Sequence, residues 1–113
     1  MHIIVTIPKT RLKDVQKEEE DVKRWSEEGK AAYYFWSLAR RPKNLQKGDR
    51  CYFVWDGAMR EYHIVCGFAQ DMTCETTGRY YPGFSIILRP EIHEIEPVPM
   101  KSFRGFKYYK ESE

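Results

Sequence analysis

The sequence lacks the segments that would place the protein in or across a membrane. No apolar run in its 113 residues is long enough to span a bilayer, and the opening MHIIVTIP has neither a basic leader nor a small-residue cleavage site. Its three cysteines, Cys51, Cys66 and Cys74, are odd in number and form no CxxC pair, which argues against a disulfide framework. We therefore expect a cytoplasmic protein with no membrane partner.

An excess of charge of either sign is also missing. The 19 Lys and Arg residues nearly balance the 17 Asp and Glu residues, which gives a net charge of +2 at pH 7. Any attraction to nucleic acid must therefore come from where the cations lie rather than from their number. With 42% hydrophobic and 15% aromatic residues, a chain of this length suits a single domain over residues 1–113.

Familiar catalytic and metal-binding motifs are absent as well. There is no glycine-rich phosphate loop and no GxSxG elbow, which excludes the P-loop, Rossmann and α/β-hydrolase patterns. The histidines His2, His63 and His93 show none of the short paired spacings of a zinc site. We expect no cofactor and no bound metal, and we expect these side chains to be structural.

The first part of the chain predicts a strand followed by a helix. Residues 2–7 are apolar and rich in β-branched side chains, and Pro8 ends the run. Thr10 is placed to cap a helix in which apolar residues recur at helical spacing, and Gly29 ends it. The acidic residues of this helix, predicted to form its surface, are Glu18, Glu19, Glu20, Asp21, Glu27 and Glu28.

The rest of the chain predicts several strands. Residues 50–55 and 62–68 are β-branched and aromatic, and Asp56-Gly57 marks a hairpin whose loop extends to about Arg60. Residues 70–78 are polar and predict a loop, residues 84–88 predict a buried strand, and residues 92–98 predict an edge strand. The aromatic, basic tail is expected to dock on the domain. The pattern predicts an α+β fold whose sheet curls into a barrel, with the helix closing one opening.

Three motifs resemble a known family. They are WSLARRP at residues 36–42, KGDRCYFVW at 47–55 and PVPMKSFRGFKYY at 97–109, within which GDxxxF and FxGFxYY are the clearest shared elements. Together with the strand, helix, strand order, they resemble the EVE-type branch of the PUA-like superfamily, which is related to ASCH and YTH domains. The first strand, MHIIVTI, departs from the NxW-like strand of typical EVE domains, so the pocket residue often found there has no counterpart.

The resemblance implies a PUA-like pseudo-β-barrel of about five or six strands with an early helix packed on it. It also implies binding of RNA or DNA, with a modified or flipped base held in an aromatic pocket. Stacking rings would come from Trp36, Trp55 and Tyr34, and contacts to the base edge from Ser37 and Asp56. The competing interpretation is that these rings are ordinary core.

Two basic clusters would meet the phosphates of a nucleic acid. Arg40, Arg41 and Lys43 lie in the predicted loop, and Arg104 lies in the tail, where basic and aromatic residues alternate. The competing interpretation is a solvated charged face.

Two other classes of function remain open. Some ASCH-type relatives are hydrolases with a Lys, Thr and Glu constellation, which Lys9, Thr10 and Glu61 would resemble in an enzyme acting on a modified nucleoside. A third possibility is an interaction module whose exposed aromatics contact another protein. We expect the protein itself to be a monomer or a weak homodimer. We favour a non-enzymatic domain that binds nucleic acid, because a stacking pocket needs no activated nucleophile.

Overall fold

A computed structural model describes residues 1–30, 32–73 and 78–109 and shows an α+β fold with one early helix. Its elements are β1 (His2–Thr6), a 3-10 turn (Lys9–Arg11), α1 (Leu12–Glu27), β2 (Tyr34–Leu38), β3 (Arg50–Trp55), β4 (Ala58–Thr73), β5 (Tyr80–Leu88), β6 (His93–Pro99) and β7 (Phe106–Tyr109). The predicted order of strand, helix and several strands is confirmed. Within the described ranges, no helix is long and apolar enough to cross a membrane.

The strands form one mixed sheet in the order β2, β5, β4, β3, β1, β7, with β6 added alongside β4. Among the described strands, β1 and β3 run parallel and the other pairs are antiparallel. The sheet has seven strands where five or six were expected, because the tail forms β7 beside β1. In the described part of the chain the outer strands β2 and β7 do not pair, so the sheet is not closed into a barrel.

Strand β4 holds the two halves of the sheet together. Its first half pairs with β3 on one side and β6 on the other, and its second half pairs with β5. Asp56 and Gly57 both have positive φ, 51° and 73°, which is the geometry of a tight two-residue hairpin turn. The strand therefore begins at Ala58, and the prediction of a loop extending to Arg60 is wrong.

The same strand also continues further than its composition indicated. It runs to Thr73, which pairs with Tyr80, so the predicted loop is wrong for residues 70–73. These positions are polar because they are mostly exposed, and pairing with β5 satisfies their backbone groups. Residues 74–77 of that predicted loop lie outside the described residues.

Helix α1 packs its apolar side on the sheet. Val15 and Val22 are buried, and Glu19 lies between them on the same side and is also buried, so the prediction that it belongs to the acidic surface is wrong. The predicted cap at Thr10 is wrong too. Thr10 lies in a 3-10 turn, and the residue in the cap position of α1 is Arg11, whose side chain makes no capping hydrogen bond. The predicted stop is confirmed by Gly29, at φ 81°.

The central strands bury both of their faces. Alternate residues of β1 and β3, including Ile3, Val5 and Phe53, face α1, whereas Ile4, Tyr52 and Val54 face the opposite side. That opposite side is covered by Met59, Ile95, Met100, Phe103 and Tyr109. The tail is thus part of a second core, which confirms that it docks on the domain.

Candidate functional site

Four rings form a continuous layer on the side of the sheet that faces α1. Tyr34 stacks on His63 with ring centroids 5.4 Å apart, and Phe53 meets His63 edge to face at 5.5 Å. Trp36 extends the layer through an edge contact with Phe53 at 5.1 Å. Tyr34 is buried and Trp36 is half-buried, so both predicted ligand residues contribute to the core.

Trp36 and Ser37 face opposite sides of β2, because consecutive residues of a strand alternate. Trp36 points to the ring layer, whereas the hydroxyl of Ser37 lies 3.3 Å from that of Ser85 on the next strand. The structure therefore does not bring this predicted pair of ring and polar group together around one ligand.

Trp55 and Asp56 end strand β3 at the hairpin turn. Trp55 follows Phe53 on the same face and is half-buried, with the Arg60 guanidinium 5.9 Å from its ring centroid. Arg60 Nε donates to the carbonyl of Trp55 at 2.9 Å, and the exposed Asp56 carboxylate lies 3.8 Å from the same guanidinium. Arg60 thus fixes this end of the hairpin against both residues.

A cleft of about 450 Å³ opens beyond the end of β2. We call it the arginine cleft; its lining residues are Ala39, Arg40, Arg41, Phe68, Ala69, Gln70, Gly83 and Phe84. Phe68 and Phe84 stack with centroids 5.9 Å apart, and the Arg41 guanidinium lies 4.8 Å from the first ring and 5.8 Å from the second. Two exposed cations, the half-buried ring of Phe68 and the buried ring of Phe84 therefore line one concave surface.

The basic loop and the basic tail meet beside this cleft. The Arg40 guanidinium lies 4.8 Å from the Phe106 ring centroid, and the Lys43 backbone amide donates to the Tyr108 hydroxyl at 2.6 Å. Arg104 is exposed in the turn that precedes β7. The basic loop therefore lies against the tail, whose strand pairs with β1; we call Arg40, Arg41 and Lys43, together with Arg104 of the tail, the basic rim.

A second polar feature is buried between α1 and the sheet. Glu19 from the helix and Glu61 and His63 from β4 converge, with side chains only 3%, 9% and 0% exposed. His63 Nε2 lies 3.1 Å from Glu19 Oε2 and 3.5 Å from Glu61 Oε2. His63 Nδ1 lies 2.8 Å from the carbonyl oxygen of Arg89, and because a carbonyl only accepts, Nδ1 carries a proton.

Burial and mutual contact shift the pKa values of all three groups. Burial raises the pKa of Glu19 to about 7, and His63 opposes the rise. Burial lowers the pKa of His63, but the two carboxylates outweigh it and bring the value to about 9. Burial raises the pKa of Glu61 too, yet contacts with His63 and Glu19 leave it below its ordinary value. The cluster therefore holds charge inside the core, where an ion would ordinarily be excluded.

Sequence reasoning missed this cluster, although a signal was present. Glu19 follows Val15 by four residues and precedes Val22 by three, which places it in the apolar stripe of the helix. Glu61, His63 and Val65 alternate along β4 and so share the buried face. The helical spacing of Glu19 and the alternation of Glu61 and His63 were visible in the sequence. The sequence did not show that the helix packs against this part of β4.

The residues of the hydrolase alternative are separated by burial. Lys9 and Thr10 are exposed in the 3-10 turn before α1, whereas Glu61 is buried beside His63 and Glu19. The thiols of Cys51 and Cys66 are free, the first buried and the second half-buried. Cys74 lies outside the described residues.

Comparison with known proteins places the chain in a family. No curated protein matches it, and no solved structure matches it. A family model described as "Protein of unknown function (DUF1489)" matches residues 3–113, which includes the ring layer, the arginine cleft, the buried cluster and the tail. Because this match spans nearly the whole sequence, the chain belongs to the DUF1489 family.

Proposed function

We propose that this domain binds RNA or DNA through the arginine cleft and holds a modified or flipped base there. The observation that carries the proposal is the placement of two exposed guanidiniums and two stacked phenylalanine rings around one cleft of about 450 Å³. Pockets for small ligands have volumes of roughly 300–1,000 Å³. The cleft is therefore large enough for a nucleotide.

The charges of the rim support phosphate binding. Among the described residues, neither Arg40 nor Arg41 has a carboxylate within ion-pair distance, so a phosphate would not have to displace one. Lys43 and Arg104 extend the same basic rim. Unpaired guanidiniums at the mouth of a cleft are the groups that bind phosphate by paired hydrogen bonds.

The rings and one amide support recognition of a base. The half-buried Phe68 offers a stacking face backed by the buried ring of Phe84, and the exposed Gln70 offers a donor and an acceptor for a base edge. Trp36 lies diagonal to Phe84 across the β2–β5 pair, since Trp36 pairs with Ile86 and Leu38 pairs with Phe84. A base entering the cleft would replace the contact between Arg41 and the rings and free that guanidinium for phosphate.

The resemblance to the EVE-type branch of the PUA-like superfamily is part of the proposal. It is supported by the early helix packed on a mixed sheet and by the tail strand that pairs with β1. Free thiols at Cys51 and Cys66 favour a reducing compartment, and we place the protein in the cytoplasm. We propose binding rather than turnover, because Lys9 and Thr10 are exposed whereas Glu61 is buried with His63.

Removing the two guanidiniums is expected to weaken binding and reduce its dependence on salt. For Arg40→Ala/Arg41→Ala, the slope of log affinity against log salt should become shallower by about 0.7 for each arginine that contacts a phosphate of a single strand. The measurement is a fluorescence titration with labelled single-stranded RNA and DNA at several salt concentrations. Lys17→Ala/Lys23→Ala is the matched control, because it removes two exposed cations from α1.

The wild-type protein and the control should give the same slope. If wild-type protein binds none of these oligonucleotides even at low salt, the proposed function is wrong. If the double arginine variant keeps the wild-type slope, the nucleic acid binds at another surface.

Replacing a stacking ring is expected to weaken binding without changing the salt slope. Phe68→Leu should cost about 1–3 kcal/mol of binding free energy, because base stacking on an aromatic ring is worth that much. Trp36→Leu tests the predicted ring that lies diagonal to Phe84 but does not line the cleft. The same titration, repeated with an oligonucleotide that carries a methylated base, measures the preference for modification. Trp55→Leu tests the other predicted ring, beside Asp56 at the hairpin turn.

Thermal unfolding of each variant shows whether the loss reflects a ring in the core instead. A folded Phe68→Leu protein with unchanged affinity would exclude this ring from the site. Incubation with a panel of modified nucleosides, followed by chromatography, distinguishes the hydrolase alternative, since a product that Lys9→Ala abolishes would contradict binding without turnover.

A further inference from the structure

We propose that Glu19, Glu61 and His63 bind a divalent transition-metal ion, with one carboxylate oxygen from each glutamate and Nε2 of the histidine as ligands. The three ligand atoms lie within 4.8 Å of one another on buried side chains. The site is separate from the arginine cleft, and none of its residues lines that cleft. The inference does not depend on nucleic-acid binding.

The distances between the ligand atoms suit coordination to one ion. Bonds of about 2.0–2.2 Å at angles of about 90–109° place neighbouring ligand atoms about 2.8–3.6 Å apart. His63 Nε2 lies 3.1 Å from Glu19 Oε2 and 3.5 Å from Glu61 Oε2, so both separations fall in that interval. The two carboxylate oxygens lie within 4.8 Å of each other, so bringing them into the same interval would complete the set of three ligands.

The histidine is oriented as a metal ligand. Its protonated Nδ1 is held 2.8 Å from the carbonyl oxygen of Arg89, which leaves Nε2 as the nitrogen that faces the carboxylates. Metal-binding histidines characteristically donate their other ring N–H to a carbonyl or carboxylate, which fixes the tautomer and the ring. The His63 ring is also held by Tyr34, which stacks on it, and by Phe53, which meets it edge to face.

The carboxylates leave bonding capacity unused. Among the described residues, Glu19 Oε1 is buried without a hydrogen-bond partner, and Glu61 Oε2, also buried, makes no hydrogen bond and has only its 3.5 Å ion-pair contact with His63 Nε2. Buried polar atoms are nearly always satisfied, so the unbonded Glu19 Oε1 and the weakly contacted Glu61 Oε2 point to a missing partner between the two glutamates. A single imidazolium balances only one carboxylate, whereas a divalent cation with a neutral imidazole balances both.

The donor set indicates which ions would bind. Imidazole and carboxylate ligands suit Zn²⁺, Mn²⁺ and Fe²⁺, and they do not suit Cu⁺, which selects sulfur ligands. Three protein ligands leave a coordination position free for water, as in catalytic zinc sites. Glu61 has the most exposed side chain of the three, at 9%, so an ion or a water molecule would enter from its side.

Calorimetry on protein freed of metal with a chelator tests the site. Titration with Zn²⁺, and separately with Mn²⁺, should show one bound ion per chain, with the tighter affinity for Zn²⁺. Glu19→Gln and Glu61→Gln should each weaken Zn²⁺ binding by at least about tenfold, since even residues that support a ligand cost that much. Glu18→Gln and Glu20→Gln are the matched controls, because both glutamates are exposed neighbours on the same helix.

The proposal is overturned if the metal-free protein binds neither ion, or if Glu19→Gln and Glu61→Gln bind Zn²⁺ as the wild type does. Circular dichroism of each variant in chelator checks that it is folded. If a variant is unfolded, X-ray absorption on the wild-type zinc complex decides instead: a shell of one nitrogen and two carboxylate oxygens, completed by water, supports the site. A shell containing sulfur would assign the ion to the cysteines and contradict the proposal.

Discussion

Replacing His63 with leucine is expected to lower the free energy of unfolding by about 3–5 kcal/mol, because breaking a buried ion pair leaves an uncompensated charge. His63 is fully buried between Glu19 and Glu61, so its loss would leave both carboxylates in the core without a cation. Leucine fills a similar volume but neither donates to the carbonyl of Arg89 nor pairs with a carboxylate. Urea denaturation in the presence of chelator measures the effect on the metal-free protein.

The matched control is His93→Leu. His93 is exposed on β6 and stacks on Tyr62 with centroids 4.7 Å apart, so its replacement should change the free energy of unfolding by no more than about 0.5 kcal/mol. A loss below about 1 kcal/mol for His63→Leu would show that water or rearrangement satisfies the carboxylates, and would contradict the prediction.

A double-mutant cycle separates the ionic contribution from packing. In the Glu19→Gln background one carboxylate fewer is left unpaired, so His63→Leu should cost less there than in the wild type, by about 0.5–3 kcal/mol. Equal costs in the two backgrounds would mean that His63 stabilises the protein through its ring contacts alone. Those contacts are with Tyr34 and Phe53.

Phe53→Ala is expected to have a comparable effect, with a loss of about 3–5 kcal/mol, which is typical of a large aromatic removed from a core. Phe53 is fully buried and contacts the rings of Tyr34, Trp36 and His63. Truncation removes apolar burial and leaves a cavity that neighbours held by two strands cannot fill. Thermal and urea unfolding measure the loss.

Tyr80→Ala serves as the control for an aromatic on a strand, because Tyr80 is 54% exposed at the start of β5. It should change stability by no more than about 0.5 kcal/mol, apart from a small strand-propensity effect. A loss below about 1.5 kcal/mol for Phe53→Ala would mean that Trp36 and the helix move to fill the cavity left by the ring. The prediction that the ring layer is rigidly packed would then be wrong.

Local patterns determined most elements because each depends on neighbours in the chain. Runs of β-branched and aromatic residues predicted β3 and the strand that follows it, and Asp56-Gly57 predicted the turn because both residues tolerate positive φ. Gly29 predicted the end of α1 for the same reason. Local patterns failed at two places. Thr10 lies in a 3-10 turn rather than at the helix cap, and the polar residues 70–73 form a strand because they pair with β5.

The candidate sites divide in the same way. The sequence identified Arg40 and Arg41 as an exposed basic loop, but tertiary structure added Phe68 and Phe84, which come from strands far along the chain. It also identified Trp36 and Ser37 as a ring beside a polar group, although the pleat of β2 sends them to opposite faces.

By itself, then, the sequence determined the α+β class, the order of the elements and the cations of the basic loop, since these follow from short-range periodicity and turn chemistry. Tertiary structure alone decided that the sheet stays open, that the tail forms β7, and that Glu19 meets Glu61 and His63. Such outcomes depend on contacts between residues distant in the chain, where strand pairing and burial overrule local preference. The position of Glu19 in the apolar stripe of α1 is explained only by its contact with His63 on β4.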